Sequence, residues 1–276
     1  MREISDLERN LVLETIKGKY GYDFHGYAPS SFDRRIRAII GKYDLMDCAE
    51  LIARLLRQPE FFQSILPHLT IGTTEMFRDG GFFRALREEI FPHLRTYPSL
   101  NLWVAGCSTG QEAYSLAILL KEEGLYDRSV IFATDINPVS LTHAREGIFP
   151  AEAVPVYTRN YLESGGRQTF SDYYMADYGY IRMSGELKDN LVFSEHNLVV
   201  DGVFTEAHLI LCRNVLIYFD RELQNHVLAL MQNTLRYKGF LCLGSKENLR
   251  FTSAAAAFNV IDAKHKIYQK HGRLSA

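Results

Sequence analysis

Asn101-Leu-Trp-Val-Ala-Gly-Cys-Ser-Thr-Gly-Gln-Glu112, followed by Ala113-Tyr-Ser-Leu-Ala-Ile-Leu-Leu120 and then by Val130-Ile-Phe-Ala-Thr-Asp135-Ile136, reads as strand, glycine turn, helix and strand ending in an acid. Gly106 and Gly110 allow the backbone to turn sharply and to approach a ligand closely. Asp135, 25 residues after Gly110, stands where a carboxylate accepts ribose hydroxyls in open α/β sheets. The stretch therefore predicts a nucleotide site at the carboxyl edge of a parallel sheet.

The spacing narrows the ligand. A dinucleotide turn needs three glycines as G-x-G-x-x-G beside the pyrophosphate. Here Gly106-x-x-x-Gly110 runs into Gln111-Glu112, and an acid at that point repels a pyrophosphate. No Gly-Lys-Ser/Thr follows, which excludes a P-loop. Glu112 in the first turn of a helix is stable as an anion and suits a ligand with an ammonium group and no phosphate, as in S-adenosyl-L-methionine.

Outward from this stretch, the chain alternates from Leu100 onward. Strands are expected at 101–105, 129–134, 191–195, 207–212 and 240–244, helices at 110–122, 138–146 and 221–236, and closing strands near 258–262 and 266–270. This predicts an α/β domain over 100–276 with a mostly parallel, Rossmann-like sheet and helices on both faces. Between 149 and 190 the alternation breaks around Gly165-Gly166 and Gly179, predicting a small antiparallel β-subdomain insertion whose edge is either a docking surface or a plain exposed hairpin. Residues 1–68 read as a small all-helical domain. Leu7, Leu11 and Ile16 form one apolar face, Phe32, Ile36, Ile39 and Ile40 a second, and Ala49, Ile52, Leu55 and Leu56 a third. Residues 69–99 read as a linker that touches the ligand, with a helix around Phe82 to Ile90 ended by Pro92.

Composition bounds the function. The 276 residues are 47% hydrophobic, enough for a sizeable core. A net charge of -2 gives no global electrostatic footprint for nucleic acid or for an anionic membrane. Cys48, Cys107, Cys212 and Cys242 form no Cys-x-x-Cys pair, which argues against a metal site and for reduced thiols in a cytoplasmic protein. Met1-Arg-Glu-Ile-Ser-Asp-Leu-Glu lacks a signal-peptide apolar region, and no stretch approaches the ~20 apolar residues of a membrane span.

The strand His208-Leu-Ile-Leu-Cys212 carries Arg213 and Asn214 just past its carboxyl end, with Tyr218 four residues on, where open α/β sheets bind ligands. Taken together, Thr73-Thr-Glu-Met-Phe-Arg78, Ala105-Gly-Cys-Ser-Thr-Gly-Gln-Glu112, Ala133-Thr-Asp-Ile136, His196-Asn-Leu198 and Cys212-Arg-Asn-Val-Leu-Ile-Tyr-Phe219 make the chain similar to the chemotaxis-receptor glutamate methyltransferase family, CheR, over nearly its whole length. That resemblance implies an N-terminal helical domain, a linker, and a methyltransferase domain using S-adenosylmethionine and releasing S-adenosylhomocysteine. It implies that Thr74, Arg78, Glu112, Asp135, Asn197, Leu198, Arg213 and Asn214 surround the cofactor. Tyr218 is implied to lie beside the transferring methyl. Gly72 replaces a common Asn and Ala113 a common proline, which puts cofactor affinity in question.

Glutamate, with an ordinary pKa of about 4.3, is already an anion at neutral pH, so its methylation requires no general base. The absence of a convincing His/Asp pair or Ser/Cys nucleophile fits. An arginine orienting the acceptor carboxylate is expected, with Arg95 as the candidate. The basic stripe Arg34, Arg35 and Arg37 would steer an acidic coiled coil, matching the glutamate-rich helical cytoplasmic domain of methyl-accepting chemotaxis receptors implied by the resemblance. The rival from another class is a scaffold or sensor that holds S-adenosylmethionine or its product without efficient transfer. Intact Glu112, Asp135, Arg213 and Tyr218 favour the enzyme.

Overall fold

The structure is a computed structural model that describes residues 3–70 and 74–271. These divide into two compact units. The smaller holds residues 3–70 with Tyr218–His226, and the larger the remainder.

In the smaller unit, Ser5 caps α1 (Asp6–Tyr20) in a reciprocal box with Glu8, and Gly21 ends the helix in the left-handed conformation. Pro29 opens α2 (Pro29–Lys42), Asp47 caps α3 (Cys48–Arg57), and α4 spans Pro59–Leu69. Phe24, Phe32, Ile36, Ile39, Leu51, Leu55, Phe62 and Leu66 form its core. Two of the expected apolar faces turn. In α1 the buried residues are Val12, Leu13 and Ile16, with Leu7 70% exposed, and in α3 they are Cys48, Leu51 and Leu55 with Leu56 outside. Both helices carry leucines on either side of the true stripe, so periodicity alone did not fix which side packs.

The larger unit begins with α5 (Gly80–Ala85), a π-helical turn at Leu86–Ile90 and α6 (Phe91–Leu94). Pro92 therefore does not end the helix near Ile90. The chain widens one turn instead, with Phe91 N–H reaching the Leu86 carbonyl, and continues beyond the proline.

The sheet contains β1 (Leu100–Ala105), β2 (Ser129–Asp135), β6 (Leu191–Glu195), β7 (Ala207–Cys212), β8 (Leu235–Leu243), β9 (Phe258–Asp262) and β10 (Ile267–Lys270) in the order β6-β2-β1-β7-β8-β10-β9. The five strands from β6 to β8 are parallel, whereas β10 runs antiparallel to both β8 and β9, so the sheet is mixed. Crossovers include α7 (Gln111–Glu122), α8 (Pro138–Glu146) and α10 (Arg221–Thr234). This is a Rossmann-like α/β architecture. The strand order reverses at β1, so β2 and β7 flank β1 and their carboxyl ends open a crevice beside the glycine turn.

The inserted sheet consists of β3 (Ile148–Pro150), β4 (Tyr174–Asp177) and β5 (Tyr180–Met183), antiparallel in the order β3-β5-β4. Tyr178 and Gly179, both at positive φ, turn β4 into β5. A helix, α9 (Val154–Glu163), interrupts the insertion and buries Tyr157, Asn160 and Tyr161. Valine and tyrosine read as β-formers there, but Pro155 in the first turn pre-sets helical φ and the aromatic face packs inward. A Cβ on Gly80 would fall 2.6 Å from Glu163 Cβ, so α5 lies directly on α9.

Candidate functional site

The glycine turn is built on the end of β2. Gly106 and Cys107 both donate to the Thr134 carbonyl, at 2.8 and 2.9 Å. Ser108 then takes φ 52° and its N–H meets Asp135 Oδ2 at 2.8 Å, while Gly110 at φ 95° leads into α7. Packing forbids a side chain at either glycine: a Cβ would stand 2.5 Å from Val215 Cγ2 at Gly106 and 2.9 Å from Ala144 Cβ at Gly110. Asp135 Oδ1 accepts the Asn137 N–H at 2.9 Å. Burial pushes the Asp135 carboxyl above its ordinary value, against the pull of the Asn137, Ser108 and Ile136 N–H groups. Asp135 thus clamps the turn to the strand, and any ribose contact uses its remaining lone pairs. Ser108 Oγ is buried without a hydrogen-bond partner, an unsatisfied polar atom of the kind a hydroxyl-bearing ligand would satisfy.

Beside the turn, Arg213 at the end of β7 joins two acids. Nη1 donates to Glu112 Oε1 at 2.6 Å, and Nη2 to Asp79 Oδ2 at 2.6 Å and to the Arg78 carbonyl at 3.2 Å. The guanidinium lies 4.1 Å from the Phe82 ring centre. Only 2% of the Arg213 side chain is exposed, against 13% for Glu112 and 47% for Asp79. Two carboxylates around one guanidinium leave a net negative charge, so the cluster still suits an ammonium or sulfonium. A carboxylate has about four lone-pair positions, and Arg213 occupies one on Glu112. The acid in the α7 first turn, the clamped turn and the unpartnered Ser108 hydroxyl fit S-adenosylmethionine.

Asn214 takes φ 61°, and its N–H, with that of Gly244, converges on Glu247 Oε2 at 3.0 and 2.6 Å; Ile217 N–H meets Oε1 at 3.2 Å. Glu247 is 4% exposed, and burial raises its carboxyl against those N–H bonds. It sets the loop that follows β7, and sequence reasoning missed it. The available signal was an acid four residues beyond the end of β8, at the same edge as Arg213.

Among the other expected residues, Arg78 meets this cluster through its carbonyl. Asn197 and Leu198 do follow β6, whose Glu195 pairs with Asp135, but Asn197 Oδ1 caps its own turn at the Val199 N–H. Leu198 is buried. Thr74 and Arg78 are half-buried, and Gly72 lies outside the described residues. Tyr218 belongs to the smaller unit, where its carbonyl accepts the Ala28 N–H at 2.9 Å. Arg95 is corrected. It precedes β1, at the amino edge, and pairs with Glu123 at the far end of α7, in a cluster with Arg87, Arg167 and Glu122. The length of β1 separates it from the glycine turn. The stripe Arg34, Arg35 and Arg37 is corrected too: Arg34 is exposed and Arg37 half-buried, but Arg35 is 4% exposed and turned into the unit.

Residues 72–267 match a family model described as CheR methyltransferase, SAM binding domain, and residues 8–70 one described as CheR methyltransferase, all-alpha domain. The chain is 45% identical over 266 residues to the putative methyltransferase Cher3 of Pseudomonas putida, covering 96% of this chain and 97% of that one. It is 33% identical over 229 residues to chemotaxis protein methyltransferase 2 of Pseudomonas aeruginosa, covering 79% and 77%. Against a chemotaxis protein methyltransferase of Borreliella burgdorferi the identity is 31% over 263 residues, covering 88% of each. Among the described residues no helix is long and apolar enough to cross a membrane.

Proposed function

The chain belongs to the CheR methyltransferase family of S-adenosylmethionine-dependent enzymes, and we propose that it methylates glutamate side chains of a chemoreceptor-type cytoplasmic domain. The product is a glutamyl methyl ester, with S-adenosylhomocysteine released. The observation that carries this reading is the Glu112–Arg213–Asp79 cluster beside the clamped glycine turn, an anionic cradle at the carboxyl edge of the sheet.

When bound, S-adenosylmethionine supplies an electrophilic methyl group on a sulfonium. Glu112 would hold the cofactor's ammonium, Asp135 its ribose hydroxyls, and Arg78 its carboxylate through a guanidinium fork. Thr74, Asn197, Leu198 and Asn214 would complete the surround. Arg213 orients Glu112. Transfer to an acceptor carboxylate would form an O–C bond from an oxygen lone pair and leave the bonding pair of the broken C–S bond on sulfur. No proton moves, so alignment and proximity supply the rate.

The partner is a glutamate-rich helical receptor domain in the cytoplasm. Arg34 and Arg37, on the surface of α2, steer it, and the β4–β5 hairpin offers a second contact. The test is incubation of the enzyme with receptor cytoplasmic domain and methyl-labelled S-adenosylmethionine. Label released as methanol by mild alkali marks a glutamyl ester. Tight cofactor binding with no transfer to any receptor domain would instead favour the scaffold or sensor.

A further inference from the structure

The seven-stranded sheet ends at β9, which pairs with β10 on one side and, among the described residues, with no strand on the other. An edge strand leaves alternate backbone N–H and C=O groups unpaired, and proteins usually blunt it with lysine or proline. β9, Phe258-Asn-Val-Ile-Asp262, carries neither, and its Val260 is 59% exposed. Beside it lies a cavity of about 270 Å³, lined by Leu249, Phe258, Val260 and Tyr268 and by two cations, Arg250 and Lys266, with no acid. Pockets for drug-sized ligands run to roughly 300–1,000 Å³, so this smaller one suits a single apolar side chain. Phe251, 87% exposed at φ 62°, sets an aromatic ring next to Arg250 in a backbone conformation that phenylalanine rarely takes.

The charge around the cavity has one sign. From Gly244 to Lys270 the chain carries five cations, Lys246, Arg250, Lys264, Lys266 and Lys270, against two acids, although its overall charge is -2. Both acids are engaged internally. Glu247 accepts loop N–H groups, and Asp262 accepts the Lys264 and His265 N–H groups and the His265 ring. Lys270 turns inward to the Gln232 and Leu235 carbonyls. Among the described residues no acid pairs with Arg250 or Lys266. The backbone at both is tied down: Asn248 Oδ1 accepts the Arg250 N–H at 2.9 Å, and the Lys266 carbonyl accepts the Leu243 N–H at 3.1 Å.

We propose that the β9 edge and this cavity dock an extended, acidic segment of a partner protein, which adds to the sheet as a strand, seats an apolar side chain in the cavity and sets carboxylates on Arg250 and Lys266. Main-chain hydrogen bonds supply the affinity of strand addition, and alternate side chains its specificity. Phe258 and Val260 share one face of β9, the face of the cavity, so the incoming strand carries its apolar and acidic residues two apart on that face. A second copy of this chain fits worse, because two-fold pairing of β9 with itself brings the two cationic rims together. The inference does not depend on which side chain the enzyme methylates.

The probe is the end-capped, fluorescein-labelled peptide Glu-Thr-Val-Thr-Val-Thr-Glu, titrated into the full-length protein and followed by anisotropy and by hydrogen-exchange mass spectrometry. It is expected to bind roughly tenfold or more tightly than its lysine counterpart, to weaken as salt rises, and to slow amide exchange across Phe258–Asp262. Arg250→Glu combined with Lys266→Glu should reverse the charge preference while leaving S-adenosylhomocysteine affinity and the melting temperature close to wild type. Should that variant fail to fold, the comparison of the two peptides on wild-type protein decides alone. No binding, equal binding of the acidic and basic peptides, or protection confined to another part of the chain overturns the proposal. A peptide N-methylated at alternate backbone positions is expected to lose binding, and one that binds as well refutes strand addition. Self-association in sedimentation runs that Val260→Lys abolishes would assign the edge to a second copy and overturn the proposal as well.

Discussion

Replacing Glu247 with glutamine tests whether one buried carboxylate shapes the loop that carries Arg213 and Asn214. Oε2 accepts the backbone N–H groups of Asn214 and Gly244, Oε1 accepts that of Ile217, and the Leu216 N–H also serves this carboxylate. The amide oxygen can keep the first two, but the NH2 group must then face the Ile217 N–H, donor against donor. Losing one hydrogen bond to a charged group costs about 1.5–3 kcal/mol. Relief of the carboxylate's burial, visible in its raised pKa, offsets part of that, leaving roughly 1–2 kcal/mol. At about 2–4 °C per kcal/mol for a domain of this size, the melting temperature falls by roughly 2–8 °C. If the same energy is lost from alignment at the transition state, kcat/KM falls about 5- to 30-fold. Differential scanning calorimetry and a methyl-transfer assay read the two effects. A variant that melts and turns over like wild type would refute the role assigned to Glu247.

Gly110→Ala forces alanine to φ 95° and its Cβ to within 2.9 Å of Ala144, so S-adenosylmethionine affinity by calorimetry is expected to drop by roughly tenfold or more. Arg95→Gln, at the opposite edge, is expected to leave kcat/KM within about twofold of wild type while lowering the melting temperature slightly, because Arg95 pairs with Glu123 at half exposure. Burial alone would raise Asp23, but Lys17 and His25 bring it down to about 2. Its folded pKa lies below the ordinary ~3.9, so its contribution is present above pH ~4 and is lost as pH falls toward ~2. Thermal melts of Asp23→Asn should therefore differ from wild type at neutral pH and converge with it across that window.

The glycine turn was legible because its chemistry is local: Gly106 and Gly110 do take positive φ, and Glu112 does open α7. The identity of Asp135 was legible and its clamp was not, because the Ser108 and Asn137 N–H groups meet it only after folding. Glu247 was a lone acid in a loop until β8 brought it beside β7. For Arg35, helical spacing from Phe32 and Ile39 already pointed inward, yet the expectation that cations face water outweighed it. Helix α9 was hidden by β-forming composition. The antiparallel β10 followed from no local signal, since Ile267–Lys270 looks alike in either direction.

The central claim is that the acceptor is a carboxylate oxygen. Mass-spectrometric mapping of receptor cytoplasmic domain after reaction with enzyme and S-adenosylmethionine tests it most directly. The account predicts methyl groups on glutamate side chains, removable by alkali and absent when Asp135→Ala enzyme is used. Methyl groups found on lysine or on another nitrogen, stable to alkali, would contradict it.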